Sequence, residues 1–135
     1  MRAALPQAEV PTRQVQAAFA GVASAVRSIK DIHVAACAAA ILAGDFHPRT
    51  RAVSLVTKNI RDFGIRSLAA QGIEVQRPDA FLLDQFQQGP VSVASAFAAL
   101  RATLRSSPTT GQLLDRLAAD GQTLTAAALR GAVPL

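Results

Sequence analysis

Apolar residues recur at Val15, Phe19, Val22 and Val26, the spacing of one helical face, and predict a helix over 12–28 with Thr12 as a candidate N-cap. Asp31 opens a second predicted helix that runs to about Leu42 and stops at Gly44. Its small residues Ala35, Ala38 and Ala39 would let it lie close against another element. The period then changes. Ala52–Thr57 (AVSLVT) is short, apolar and partly β-branched, which predicts a buried strand. A short helix around Ile60–Ala70 follows, and GIEV, with Ile73 and Val75, predicts a second strand. The order helix, strand, helix, strand predicts a parallel sheet covered by helices.

Beyond Arg77-Pro78 the pattern is helical throughout. Asp79 is placed to cap a helix through Phe86, which Gly89-Pro90 breaks. Residues 91–105 carry Val93, Phe97, Leu100 and Leu104 on one face, and shorter helices at about 110–119 and 123–130 follow Ser107-Pro108 and Gly121. The chain therefore divides into an α/β part, residues 1–86, and a helical part, residues 87–135.

Half of the 135 residues are hydrophobic, Ala dominates them, and Trp and Tyr are absent, so the chain is globular and suits closely packed helices. The one cysteine, Cys37, lies in the apolar run VAACAAAIL and reads as a buried thiol in a reducing, cytoplasmic setting. The N-terminal MRAALPQAEVP has no long apolar stretch, and the run Val34–Gly44 is too short to span a bilayer, so neither a signal peptide nor a membrane span is expected. Charge is uneven. Residues 1–77 hold ten Lys and Arg against five acids, and residues 78–135 hold four against four. The basic first part is compatible with a polyanionic partner such as RNA, or simply with a soluble surface. DNA binding by the neutral helical part is disfavoured, because it has no excess charge to meet a phosphate backbone.

Asn59 and Asp62 stand immediately beyond the predicted strand AVSLVT, in the stretch SLVTKNIRDFG. Ligands of parallel sheets bind beyond the C-terminal strand ends. The start of the preceding helix, at Asp31, can reach the same edge. Two carboxylates brought together there would make a hard, oxygen-rich site of the kind Mg²⁺ or Mn²⁺ takes, with Lys58, Arg61 and Arg66 available for phosphates. The competing reading is that Asn59-x-x-Asp62 and Asp31 only cap their own helices. One acid can do both. His33 has no Cys or His partner at zinc spacing and reads as packing near the helix start; His47 reads as a solvated loop residue. Asp45, Glu74 and Asp79 read as solvated loop or helix-start acids. No Gly-rich phosphate loop, nucleophile elbow or catalytic Cys/His pairing is present.

KDIHVAACAAAILAG, SLVTKNIRDF and GIEVQRPDAFLLDQF, in that order over residues 30–86, resemble the second half of a bacterial PIN domain, of the VapC-type toxin group with a helical C-terminal region. Residues 91–130 resemble that group's helical tail. The resemblance implies a fold class: the C-terminal part of a PIN-like, Rossmann-like three-layer α/β domain with parallel strands, followed by an all-helical tail. It also implies a Mg²⁺-dependent nuclease, usually cleaving RNA. Asp31, Asp62 and Asn59 are then the catalytic positions, Asp31 and Asp62 the metal ligands and Thr57 a supporting hydroxyl. Expected partners are RNA, a cognate antitoxin protein and a second copy of the chain as a homodimer. The group's first strand ending in Asp and its early-helix Glu have no counterpart here, and MRAALPQAEV looks like a mid-domain segment. Lys30-Asp31 stands where the group often has two acids, and DFHPRTR is longer than the usual link. The chain thus reads as N-terminally truncated, with half of the acidic site and at best very weak activity. The alternative is a non-catalytic module that binds an antitoxin or RNA through its basic face.

Overall fold

The computed structural model describes residues 9–44 and 49–132. The expectations for Asp45, His47, Pro48 and the segment before Glu9 lie outside these residues. The chain forms two compact units, Met1–Gln76 and Arg77–Leu135.

In the first unit, α1 (Thr12–Val22) packs against α2 (Ile32–Ala43). The predicted helix over 12–28 is shorter than expected. A 3-10 turn, Ala23–Ala25, follows Val22, and Val26 is extended and makes an isolated antiparallel bridge with Phe63. Burial does not separate this turn from a longer helix: Val22, Ala25 and Val26 all lie in the core, where a continuing helix would also put them, and it is the Val26 bridge to Phe63 that takes the chain out of the helix. Phe19, expected on the buried face, is 39% exposed. Thr12 is not the cap either: the N-cap position is Pro11, without a side-chain bond.

β1 (Val53–Val56) and β2 (Ile73–Gln76) form a two-stranded parallel sheet, in register Val53 with Ile73 through Val56 with Gln76. They are joined through a 3-10 turn, Ile60–Asp62, and α3 (Ile65–Ala69). Gly72 enters β2 at φ +86°, a conformation open to glycine, and passes its carbonyl to the Val53 N–H at 2.9 Å. Leu55, Ile73 and Val75 are buried beneath α2 and α3, whereas Ser54, Val56 and Glu74, which alternate with them, are exposed. The sheet is therefore covered on one face. The three-layer arrangement expected from the resemblance is not what the described residues form, and polar Ser54 and Glu74 at alternate positions are the physical reason.

The second unit is helical: α4 (Pro78–Gln88), α5 (Pro90–Thr103), α6 (Thr110–Ala119) and α7 (Thr123–Ala132). Phe97, Leu113, Leu114 and Leu129 make its core, with Phe86, Val93 and Leu104 packed against it. Leu100, assigned to the buried stripe by spacing, is 51% exposed. Helix α4, which the division at 86/87 assigns to the first part, packs here on α5 and α7. Asp79 supplies the reason. It sits in the first turn of α4, yet its carboxylate accepts from the N–H groups of Leu124 (3.0 Å) and Thr125 (2.9 Å) and from the Thr125 hydroxyl (2.7 Å). It caps α7 from another helix. Helix α6 has its own capping box, Thr109 with Gln112.

Candidate functional site

Three backbone devices bring the two acid-bearing segments together. The Val26 to Phe63 bridge is flanked by Arg27 N–H donating to the Asp62 carbonyl at 2.7 Å and by Gly64 N–H donating to the Ala25 carbonyl at 2.6 Å. A Cβ on Gly64 would stand 3.0 Å from that Ala25 oxygen, a tight contact with backbone, so the close approach favours glycine. Asp31 ends a 3-10 turn, Ile29–Asp31, that leads into α2 from the clipped segment. Asp62 ends the 3-10 turn beyond β1.

The side chains then meet. The Asn59 amide donates to the Asp62 carboxylate at 2.5 Å and to the Asp31 carboxylate at 3.3 Å, and the Asn59 backbone N–H donates to Thr57 Oγ1 at 3.0 Å. One amide thus bridges two like charges that would otherwise repel across the gap. At the N-cap positions of their own helices, neither Asp31 nor Asn59 makes a side-chain capping bond. The helix-capping reading therefore does not account for where these side chains point. Asp31 and Asp62 are half-buried, and Asn59 is exposed.

Lys58, Arg61 and Arg66 are exposed, the first two within the same turn as Asn59 and the third on α3. Among the described residues no group of three or more His, Cys, Asp or Glu side chains is gathered. The donors that do converge are hard oxygens: two carboxylates, plus the Asn59 Oδ1 if that side chain turns over. This is a small set, but Mg²⁺ is held by one or two protein carboxylates with waters and substrate phosphates completing the shell, so the residue types fit the ion.

His33, read as packed, is exposed. It lines an apolar groove of about 380 Å³ between α2 and β1, with Val34, Cys37, Ile41 and Val56. Cys37, read as buried, is half-buried, and desolvation raises its thiol pKa, which keeps it protonated. Sequence reasoning missed the clip at 25–27 and 62–64. Its one local signal is Gly64 directly after the Asp62-Phe63 pair.

Residues 78–131 match the family model described as the VapC50 C-terminal domain. The match covers helices α4 to α7 and stops short of the segment that carries Asp31, Asn59 and Asp62. Over these residues the chain is similar to a VapC-type toxin. No curated protein and no solved structure matches the chain. No helix among the described residues is long and apolar enough to cross a membrane.

Proposed function

We propose that the chain is a PIN-domain protein of the VapC type, related to the Mg²⁺-dependent endoribonucleases of toxin–antitoxin systems, and that it holds half of the acidic site. The carrying observation is the convergence of Asp31 and Asp62, separated widely in sequence, on the single amide of Asn59. The similarity of residues 78–131 to the VapC50 C-terminal domain supports the family half of the reading. Asp31 and Asp62 would hold Mg²⁺ or Mn²⁺. The ion, when bound, supplies charge neutralisation and a more acidic water for phosphodiester hydrolysis. Thr57 Oγ1 fixes the Asn59 backbone and so sets the turn that aims Asn59 and Asp62 at one point. Lys58, Arg61 and Arg66 would place RNA phosphates beside the carboxylates. An antitoxin is the protein partner that fits this family, and the cytoplasm the compartment that fits a lone thiol.

With two carboxylates gathered, activity of this chain is very weak. RNA cleavage in Mg²⁺ or Mn²⁺ is the test, comparing the chain with Asp62→Asn. Robust cleavage that Asp62→Asn abolishes would refute the half-site reading and require a further acid. Cleavage unaffected by Asp62→Asn would remove the site altogether.

One observation favours a second reading. The Asn59 amide already satisfies both carboxylates, so the cluster also works as a latch that ties the start of α2 to the turn after β1. The chain is then a non-catalytic module that binds RNA or an antitoxin through its basic face. Unchanged melting temperature and unchanged RNA affinity on Mg²⁺ titration would decide for it.

A further inference from the structure

We infer that Arg27, on the far segment of the clip, is a further phosphate-binding residue of the acidic site, gripping the phosphodiester of single-stranded RNA that the site receives. This rests on the reading of Asp31 and Asp62 as a metal-holding pair and adds to it a residue that sequence reasoning left out. The clip is a short antiparallel ladder. Val26 and Phe63 are directly opposed, both extended and both buried. One residue along each segment, Arg27 faces Asp62, and the bond from the Arg27 N–H to the Asp62 carbonyl at 2.7 Å fixes that register.

Side chains next to an inward-facing pair stand on the other side of a ribbon, so Arg27 and Asp62 come out together on the solvent side. Directly opposed residues carry Cβ atoms about 5 Å apart, well within the reach of an arginine. Exposure agrees with this placement: Arg27 is exposed and Asp62 is half-buried. The backbone that carries Asp62 to Asp31 therefore also carries a guanidinium to the same place.

Neutralising the acids is not what holds it there. Among the described residues the Arg27 guanidinium has no hydrogen bond or ion pair, and the two carboxylates are met by the Asn59 amide instead. A cation kept beside two carboxylates that an amide already bridges is available to an incoming anion. Arginine suits the task, because its planar fork takes two oxygens of one phosphate. Lys58, Arg61 and Arg66 lie on the turn beyond β1 and on α3, whereas Arg27 comes from the segment before α2. Cations thus flank the acids from both segments of the clip. Lys30, exposed in a 3-10 turn outside the ladder, carries the same charge in the same segment and serves as the control.

Fluorescence anisotropy with a short labelled single-stranded RNA, on the full chain in Mg²⁺ and in EDTA, tests this. The wild type is expected to bind more tightly in Mg²⁺. Arg27→Gln should lose about fivefold or more of that affinity in Mg²⁺ and much less in EDTA, where the carboxylates repel the phosphate. Its double-logarithmic salt slope should fall by about 0.7, the value of one single-strand phosphate. Lys30→Gln, which removes a screened surface charge, should lose less than about twofold in either medium. Gln at position 27 keeps the backbone N–H of the ladder, so the melting temperature should hold. If Arg27→Gln nevertheless fails to fold, phenylglyoxal labelling of the wild type with peptide mapping decides: RNA in Mg²⁺ should slow modification of Arg27 relative to Arg13. A wild type that binds no more tightly in Mg²⁺ than in EDTA would overturn the metal-pair reading, and this inference with it. A gain in Mg²⁺ that folded Arg27→Gln retains, an equal loss in Lys30→Gln, or Arg27 labelling indifferent to RNA would overturn the role of Arg27 alone.

Discussion

Asn59 shows how one side chain can serve two chemistries. Its amide sits between Asp31 and Asp62, where a cation would also be favoured. Replacing it by Ala removes two charge-assisted bonds at an exposed position and leaves two carboxylates facing one another. A destabilisation of about 1 kcal/mol is expected, partly recovered by millimolar Mg²⁺ and readable in the melting temperature. Asp79 is a second such residue. Burial works against its charge, but the hydrogen bonds from Thr125, Leu124 and Thr123 outweigh that and hold its carboxyl below the usual aspartate value of 3.8. Because the folded form is the stronger acid, Asp79 contributes its full stabilisation above about pH 4. That contribution is lost as pH falls below 3.8 through the lower folded value. Asp79→Ala should cost about 1–2 kcal/mol by urea unfolding at neutral pH, and the gap from wild type should narrow in acid.

At the scale of elements, the pattern of apolar positions located the strands and helices well and their ends less well. Val53–Val56 and Ile73–Gln76 lie where short apolar runs placed them, and Gly44, Gly89-Pro90 and Ser107-Pro108 mark the breaks in the helical segments. The helix over 12–28 was overrun because Val26 continues a 3.6 period while the core needs an extended strand to meet Phe63. Periodicity records which residues are buried, and a 3-10 turn plus a bridge can bury Ala25 and Val26 as well as a helix can. The clip this produces depends on Gly64. Gly64→Ala would push a Cβ to 3.0 Å from the Ala25 carbonyl, with backbone on both sides. A loss of about 1–3 kcal/mol is expected, with faster exchange at Arg27 and Gly64 as its local signature.

The whole molecule places its excess positive charge in residues 1–77, the part that also holds Asp31 and Asp62. If Lys58, Arg61 and Arg66 contact phosphates, RNA affinity should fall steeply as salt rises, because each neutralised phosphate releases condensed counterions. A double-logarithmic salt plot that flattens on replacing the three by Gln would locate the contact. A slope that does not change would place RNA elsewhere. The match to the VapC50 C-terminal domain lies in the other unit. Antitoxin binding and RNA binding are therefore best measured separately.

The sequence alone determined the elements, their order, the parallel sense of the sheet and the charge asymmetry. These follow from local periodicity, turn residues and composition, all of which act within a few residues. It also offered Asp31, Asn59 and Asp62 as one group, but it left open whether they cap helices or face one another. Only the tertiary structure decided that. Asp31 and Asn59 meet because backbone bonds between residues 25–27 and 62–64 carry the start of α2 to the end of β1, and no local pattern encodes a contact between segments so far apart. The structure likewise decided that Asp79 caps α7 rather than its own helix, and that among the described residues β1 pairs with β2 alone. Each is a matter of which neighbour satisfies a given backbone group, and that choice is made only when the chain has closed on itself.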